Sequence, residues 1–176
     1  MSLDSYYKDH WVEIEDERLD RYEKMFQWSP AFERLLEPAE ILPGQTVGDL
    51  GCGPGFLTLQ LLERVGPKGH VHSFDVSADF IERTRVKAEA AGLSDRLTLH
   101  HLTGTGLPLA DMVLDRIIAK NVMVYVDDPA ETFREFQRIL QNGGKAHAID
   151  SDFAMVAIDP VPPAEWRALV DAATHA

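Results

Sequence analysis

Cysteine is nearly absent from this chain: Cys52 is the one cysteine among 176 residues. A lone thiol excludes an intrachain disulfide and a cysteine-cluster metal site, so no metal is expected, and it suits a reducing compartment. Long apolar runs are missing too. No stretch reaches the roughly 18 apolar residues that a membrane-spanning helix needs. The N-terminal "MSLDSYYKDHWVEIEDE" has no basic region followed by an apolar one. No signal peptide is read there, and the expected location is cytoplasmic. Positive charge is scarce: 17 Lys+Arg stand against 29 Asp+Glu, a formal charge of −12. Such a surface repels phosphate backbones and loses the main energetic contribution to non-specific nucleic-acid binding. Repeats and low-complexity segments are absent as well. What is there is globular: 45% of residues are hydrophobic and 26% charged. The length is that of one domain, residues 1–176.

Periodicity divides the chain in two. Residues 1–43 are helical in pattern. Leu19, Tyr22 and Phe26 recur at helical spacing, and "SPAFERLLEPAEILPG" opens with Ser29 as N-cap and Pro30 in the first turn. Phe32, Leu35 and Leu36 make its apolar stripe. From residue 45 to 151 short β-like runs alternate with helices. The strands are "TVGDL", "HVHSFD", "RLTLHHL", "DRIIAKN" and "KAHAID". The helices are "FLTLQLLERV", "SADFIERTRVKAEAAG" capped by Ser77, and "DPAETFREFQRILQNGG" capped by Asp128. Phe133, Phe136, Ile139 and Leu140 form the last one's buried stripe. "PPAEWRALVDAA" reads as a final helix. Strands alternating with crossover helices predict an α/β fold, a doubly wound, Rossmann-like parallel sheet in the order 3-2-1-4-5.

Three glycines, Gly51, Gly53 and Gly55, crowd into five residues where the first strand meets its helix. In doubly wound sheets ligands bind at this carboxyl edge. A missing Cβ permits positive φ and close approach of a ligand, and the helix start offers N–H groups to a polar head. The spacing is G-x-G-x-G, with Phe56 where the dinucleotide fingerprint G-x-G-x-x-G has its last glycine. No Gly-Lys-Ser/Thr follows, so the phosphate-loop pattern fails. Gly55, beside the helix start, is expected to tolerate alanine. Asp75 ends the second strand, where a carboxylate can accept from both hydroxyls of a ribose. Its removal is expected to spare the fold.

"VGDLGCGPG", the acid of "HSFDVS" and "RILQNGGKAHAID" resemble successive motifs of the class I S-adenosylmethionine-dependent methyltransferases (EC 2.1.1.-), from about Gln45 to Asp150. The flavour is that of the small-molecule group similar to ubiquinone and menaquinone C-methyltransferases. The resemblance implies S-adenosyl-L-methionine as cofactor and a small-molecule methyl acceptor. It implies that Gly51, Gly53 and Gly55 line the methionine part, with Cys52 between them in the same cofactor-binding loop, and that Asp49 organises the loop; Cys52 has no obvious base beside it and reads as a small apolar filler. Asp75 would hold the ribose and Val76 pack on adenine. Thr103 falls where the family often has an acid for the adenine amino group, and Gly104 would serve adenine N1. Gly48 stands where a larger apolar residue is usual. Residues 1–43 correspond to the helical lid of related enzymes, with Tyr22, Phe26 and Trp28 as its aromatic set.

Methyl transfer from a sulfonium needs alignment above all, so no single catalytic residue is demanded. Lys120 and Asn121 should reach the cleft. Asn121, Asp150 and His101 are the weak candidates for a catalytic role. His100 and His101 are neighbours on a strand and point to opposite faces. His147 is expected to be a satisfied core histidine. The family usually completes its sheet with an antiparallel strand pair, for which the sequence to Ala176 leaves no room. Either the chain is a fragment, or a neighbour such as a second copy in a homodimer covers the open edge. Two other readings compete: an S-adenosylmethionine-binding module without catalysis, and an NAD-binding oxidoreductase, which Phe56 disfavours.

Overall fold

The computed structural model describes residues 11–151 apart from 13 and 105, together with 164 and 168. Five strands, β1 (Thr46–Leu50), β2 (His70–Asp75), β3 (Leu97–His101), β4 (Leu114–Lys120) and β5 (Leu140–Ile149), form one sheet. The order is β3-β2-β1-β4-β5, with every neighbour parallel. This is the order expected from the alternation, and it makes β1 the switch point. The central strands β1 and β4 are buried almost throughout, as strands covered on both faces must be. Gly48 of β1 has a packing reason: a Cβ there would lie 2.8 Å from Leu114 Cδ1 and 3.1 Å from Ile117 Cγ1. The space a usual apolar residue would fill is taken by those two side chains of β4.

Among the described residues, four helices of ten residues or more surround the sheet: α1 (Asp16–Met25), α2 (Phe56–Val65), α3 (Ala78–Ala90) and α4 (Pro129–Ile139). Leu57, Leu61, Leu62 and Val65 of α2 pack on Val47, Val71 and Ile118, joined by Leu36 and Ala39 from the N-terminal region. On the other face Phe136 and Ile139 of α4 meet Leu50, Phe74, Leu114 and Ile117, with Leu107 from the β3–β4 connection. α1 lies on α3, where Ile14, Leu19 and Phe80 form a third apolar cluster. Each expected cap is made: Ser29 Oγ accepts from the Ala31 N–H, Ser77 Oγ from Phe80, and Asp128 Oδ1 from Glu131.

The structure differs from the sequence reading in four places. α4 ends at Ile139, and β5 begins at Leu140 rather than at Lys145. Asn142, Gly143 and Gly144 are poor helix formers, and the β4–β5 register skips between Leu114 and Arg116 to absorb the extra strand residues. Phe133 and Leu35 are 48% and 42% exposed, not buried. The stretch from Pro30 to Ala39 is a single turn of α-helix between two 3₁₀ turns, so its apolar residues do not share one face. His147 is satisfied but only half-buried, its Nε2 2.6 Å from the Leu35 carbonyl oxygen. The final expected helix falls almost wholly outside the described residues. Among those described, no helix is long and apolar enough to cross a membrane.

Candidate functional site

The glycine loop leaves β1 pinned to its neighbour. The N–H groups of Gly51 and Cys52 both donate to the Phe74 carbonyl, at 2.8 and 3.0 Å. The three glycines then divide by cause. Gly51 has φ +67°, and a Cβ there would lie 2.3 Å from Val122 Cγ2. Gly55 has φ +88°, and a Cβ would lie 2.7 Å from Thr84 Oγ1. Gly53 has φ +53°, with nothing within 4 Å of the place its Cβ would take. The outer glycines therefore answer to packing and the middle one to open space. The expectation that Gly55 tolerates alanine is overturned, because α3 stands against it.

Asp75 ties the loop to β2. Its Oδ2 accepts from the Gly53 N–H at 2.8 Å and its Oδ1 from the Ser77 N–H at 2.9 Å. The side chain is buried, and burial pushes its carboxyl up against the opposing pull of those backbone amides. Thr84 Oγ1 donates to the Gly53 carbonyl at 3.0 Å and braces the loop from α3. Cys52 is buried beside Thr84, and burial raises its thiol well above the ordinary value, so it stays a neutral filler. Asp49 sits beneath the loop with no exposed surface. Thr58 Oγ1 donates to its Oδ2 at 2.7 Å, while Oδ1 is buried with no partner among the described residues. Burial pushes this carboxyl up to about 7.

A cavity of about 790 Å³ opens over the loop. Gly51, Cys52, Gly53, Asp75, Val76, Gly104 and Asn121, all named from the sequence, line it. Asn121 also turns the chain: its φ is +56°, and its N–H donates to the Ile149 carbonyl at 2.7 Å. Tyr22, Phe26, Trp28 and Phe32 roof the cavity from the N-terminal region. Tyr22 and Phe26 stack at 5.7 Å between ring centroids.

Several expected residues lie elsewhere. Gly55 and Asp49 serve the loop from behind and do not line the cavity. Thr103 is exposed and turned away, while its neighbours Leu102 and Gly104 face in. His101 is exposed, with Nε2 3.1 Å from the Val76 carbonyl oxygen. Asp150 is not part of the wall. Burial raises its carboxyl against the opposing pull of the nearby backbone amides of Met123, Val122 and Val124. His100 does pack, stacked on Phe74 with ring centroids 4.6 Å apart and hydrogen-bonded to His72 at 3.1 Å. Among the described residues, no three potential metal ligands gather.

Sequence reasoning missed Trp11, Phe80 and Tyr125. Trp11 lies 5.0 Å from Tyr22, 6.4 Å from Phe80 and 5.5 Å from Tyr125 by ring centroids, and joins the roof to α3 and to the β4–α4 connection. One signal was available: "NVMVYVDD" is an apolar loop at the carboxyl end of a central strand, where apolar residues have a ligand rather than a core to cover.

A family model for a methyltransferase domain matches residues 41–171. The chain belongs to the class I S-adenosylmethionine-dependent methyltransferases. Aklanonic acid methyltransferase DauC of Streptomyces sp. (strain C5) is 27% identical over 170 residues, 95% of this chain and 76% of that one. A demethylmenaquinone methyltransferase of Symbiobacterium thermophilum is 28% identical over 145 residues, 78% of this chain and 58% of that one. The chain spans under half the length of several other curated relatives it matches. In fold, this methyltransferase domain resembles a SAM-dependent methyltransferase from Aquifex aeolicus, with a TM-score of 0.70 at 22% identity, covering 88% of this chain and 81% of that one. S-adenosylmethionine is the methyl donor typical of the family.

Proposed function

We propose that this methyltransferase domain transfers a methyl group from S-adenosylmethionine to a small, largely apolar acceptor. The observation that carries the reading is the pairing of Gly53 with Asp75. A positive-φ glycine with nothing over its α-carbon faces the cavity, and a buried carboxylate shapes the same loop. Residues 45–151 act as the cofactor core and residues 1–43 as its cap.

The residues present fit the cofactor. Each Asp75 oxygen takes one backbone N–H and keeps a second lone pair, which two vicinal ribose hydroxyls can use. Val76 and Leu102 offer apolar contact to a base, with the Gly104 backbone beside them. The open side of Gly53 accommodates the methionine end. When bound, the cofactor supplies an electrophilic methyl on a good leaving group. The chain's own part is then to align the acceptor and to exclude water, which the aromatic roof serves. Trp11, Tyr22, Phe26 and Tyr125 give the acceptor side flat, apolar walls. The relatives named for aklanonic acid and demethylmenaquinone support an acceptor of that kind.

The reading carries two corollaries. A second copy covers the outer edge of β5, which ends the described sheet; sedimentation analysis at several concentrations tests it. The protein works in the reducing cytoplasm, where its single buried thiol stays free.

Calorimetric titration with S-adenosylmethionine, S-adenosylhomocysteine and NAD tests the central claim. Binding of the first two and not the third is expected. NAD binding without the others would return the fold to the oxidoreductase reading. Binding without transfer to any acceptor across a panel of hydroxylated aromatics would leave a sensing module.

A further inference from the structure

β4 ends on Lys120, whose side chain enters the cavity wall. It is the one lysine or arginine that lines the cavity among the described residues, against carboxylates such as Asp75, Asp128, Glu131 and Glu135. Three of these are engaged elsewhere: Asp75 holds the glycine loop, Asp128 caps α4, and Glu135 is bound by Arg138. Lys120 has no hydrogen bond and no ion pair among the described residues. Its Nζ lies over the Phe32 ring, 4.7 Å from the centroid. The charged groups that act on it are Asp49 from β1 and Asp150 from the end of β5, both of which favour the ammonium. Burial acts the other way and prevails, so the amine sits below the ordinary lysine value. The protein has placed an uncommitted amine, near two carboxylates it does not touch, in the wall of the reaction cavity.

We propose that Lys120 is the proton acceptor of the transfer step, and that the acceptor substrate attacks through a hydroxyl whose proton this amine takes. The inference rests on the methyltransferase reading above. As the substrate oxygen bonds to the methyl carbon, the carbon–sulfur bond breaks and its electron pair stays on sulfur. The hydroxyl proton passes to Lys120 Nζ. One positive charge leaves sulfur and one appears on nitrogen, so the cavity's net charge does not change. Before the step, a cationic donor in the same cavity favours the neutral amine by like-charge repulsion. After it, Asp49 and Asp150 favour the ammonium that has formed. A lysine whose charge were only structural would sit on a carboxylate, as Lys145 does on Glu40 and Lys87 on Glu23.

The test needs no acceptor. The chain has six lysines. Reductive methylation with ¹³C-formaldehyde gives each a dimethylamino signal that titrates, and the signal lost in Lys120→Arg identifies Lys120. Its midpoint is expected below the others, as burial of an ammonium requires. S-adenosylmethionine should lower it further, and S-adenosylhomocysteine, which lacks the sulfonium charge, should not. Calorimetry on the unmodified chain should show Lys120→Met binding S-adenosylmethionine at least as tightly as the parent. The proposal is overturned by a midpoint level with the other lysines, or by one indifferent to a donor that does bind. A tenfold loss of donor affinity in Lys120→Met also overturns it, by making the residue part of the cofactor's cradle. Failure of the parent to bind S-adenosylmethionine at all is a separate result, and it removes the methyltransferase reading itself.

Discussion

The Gly53 amide donates to Asp75 Oδ2 at 2.8 Å, so the glycine loop after β1 and the acid at the tip of β2 are one structural unit. The acid was expected to be a ligand contact whose loss spares the fold. It is also what sets the loop's shape, and through Ser77 it steadies the entry to α3.

Asp75→Ala and Asp75→Asn should therefore differ. Alanine deletes both backbone bonds and leaves the half-buried Gly53 N–H and the buried Ser77 N–H without their acceptor, at about 1–3 kcal/mol for the buried one. Asparagine keeps one carbonyl acceptor, and its NH₂ cannot accept. Thermal melts should show a large loss for alanine and a smaller one for asparagine, while S-adenosylmethionine affinity falls in both. A melting point for Asp75→Ala equal to the parent's would show that the carboxylate does not organise the loop.

The glycines give a second contrast. Gly53→Val should retain the fold, since its Cβ meets nothing within 4 Å, but should lose cofactor binding because the side chain enters the cavity. The positive φ adds strain of roughly 1–2 kcal/mol for a non-glycine residue. Gly55→Ala should do the reverse of what sequence suggests and damage the fold, since its Cβ meets Thr84 Oγ1 at 2.7 Å and the Thr84 Cα at 3.0 Å. Circular dichroism and calorimetry on the two variants decide it. An intact fold in Gly55→Ala would mean that α3 can retreat.

Sheet order, the first four strands and the caps were legible because each rests on a local signal: alternating periods, or a Ser or Asp before an apolar run. That the glycine loop and Asp75 share one cavity wall was legible for the same reason, each being a local motif at a known place in the topology. What was not legible depends on contacts distant in sequence. That Gly55 is crowded by Thr84, that Thr103 is exposed, and that Asp150 stands outside the cavity wall all follow from how separate elements meet. The roof is the sharpest case. Trp11 and Tyr125 are more than a hundred residues apart, yet their centroids are 5.5 Å apart.

Asp49 makes stability depend on pH in an unusual direction. Its carboxyl is raised from 3.8 to about 7, first by burial. The folded state then holds a proton that the unfolded chain has already lost, so this contribution is present in acid and disappears as pH rises through about 7. The cost above that point is on the order of 4 kcal/mol as an upper figure. Asp49→Asn keeps an acceptor for the Thr58 hydroxyl and removes the titration. The variant should gain in melting temperature relative to the parent as pH goes from about 5 to about 8.5. A parallel shift of both curves would assign no such proton to Asp49.

The cap over the site should be held by a small set of ions. Glu23 of α1 receives both Arg83 and Lys87 of α3, and Arg83 reaches Asp20 as well, at 3.1 Å. The Glu23 carboxylate is held below its usual range by the hydrogen bond from Lys87 and the guanidinium of Arg83. A depressed acid contributes stability above its ordinary value and loses it as pH falls through the lowered one. These groups are partly exposed, so salt screens them, and together they supply at most about 1 kcal/mol. That is too little to change global unfolding and enough to change how often the cap opens. Glu23→Gln should speed hydrogen exchange across α1 several-fold and leave β1 and β4 unchanged, and high salt in the parent should reproduce the effect. Because Tyr22 and Phe26 ride on the same helix, the opening exposes the aromatic roof, and an apolar acceptor should bind more weakly while S-adenosylmethionine binds as before. Uniform acceleration of exchange through the sheet would mean that α1 is an integral part of the fold, and the ion cluster would then have no separate part in access to the site.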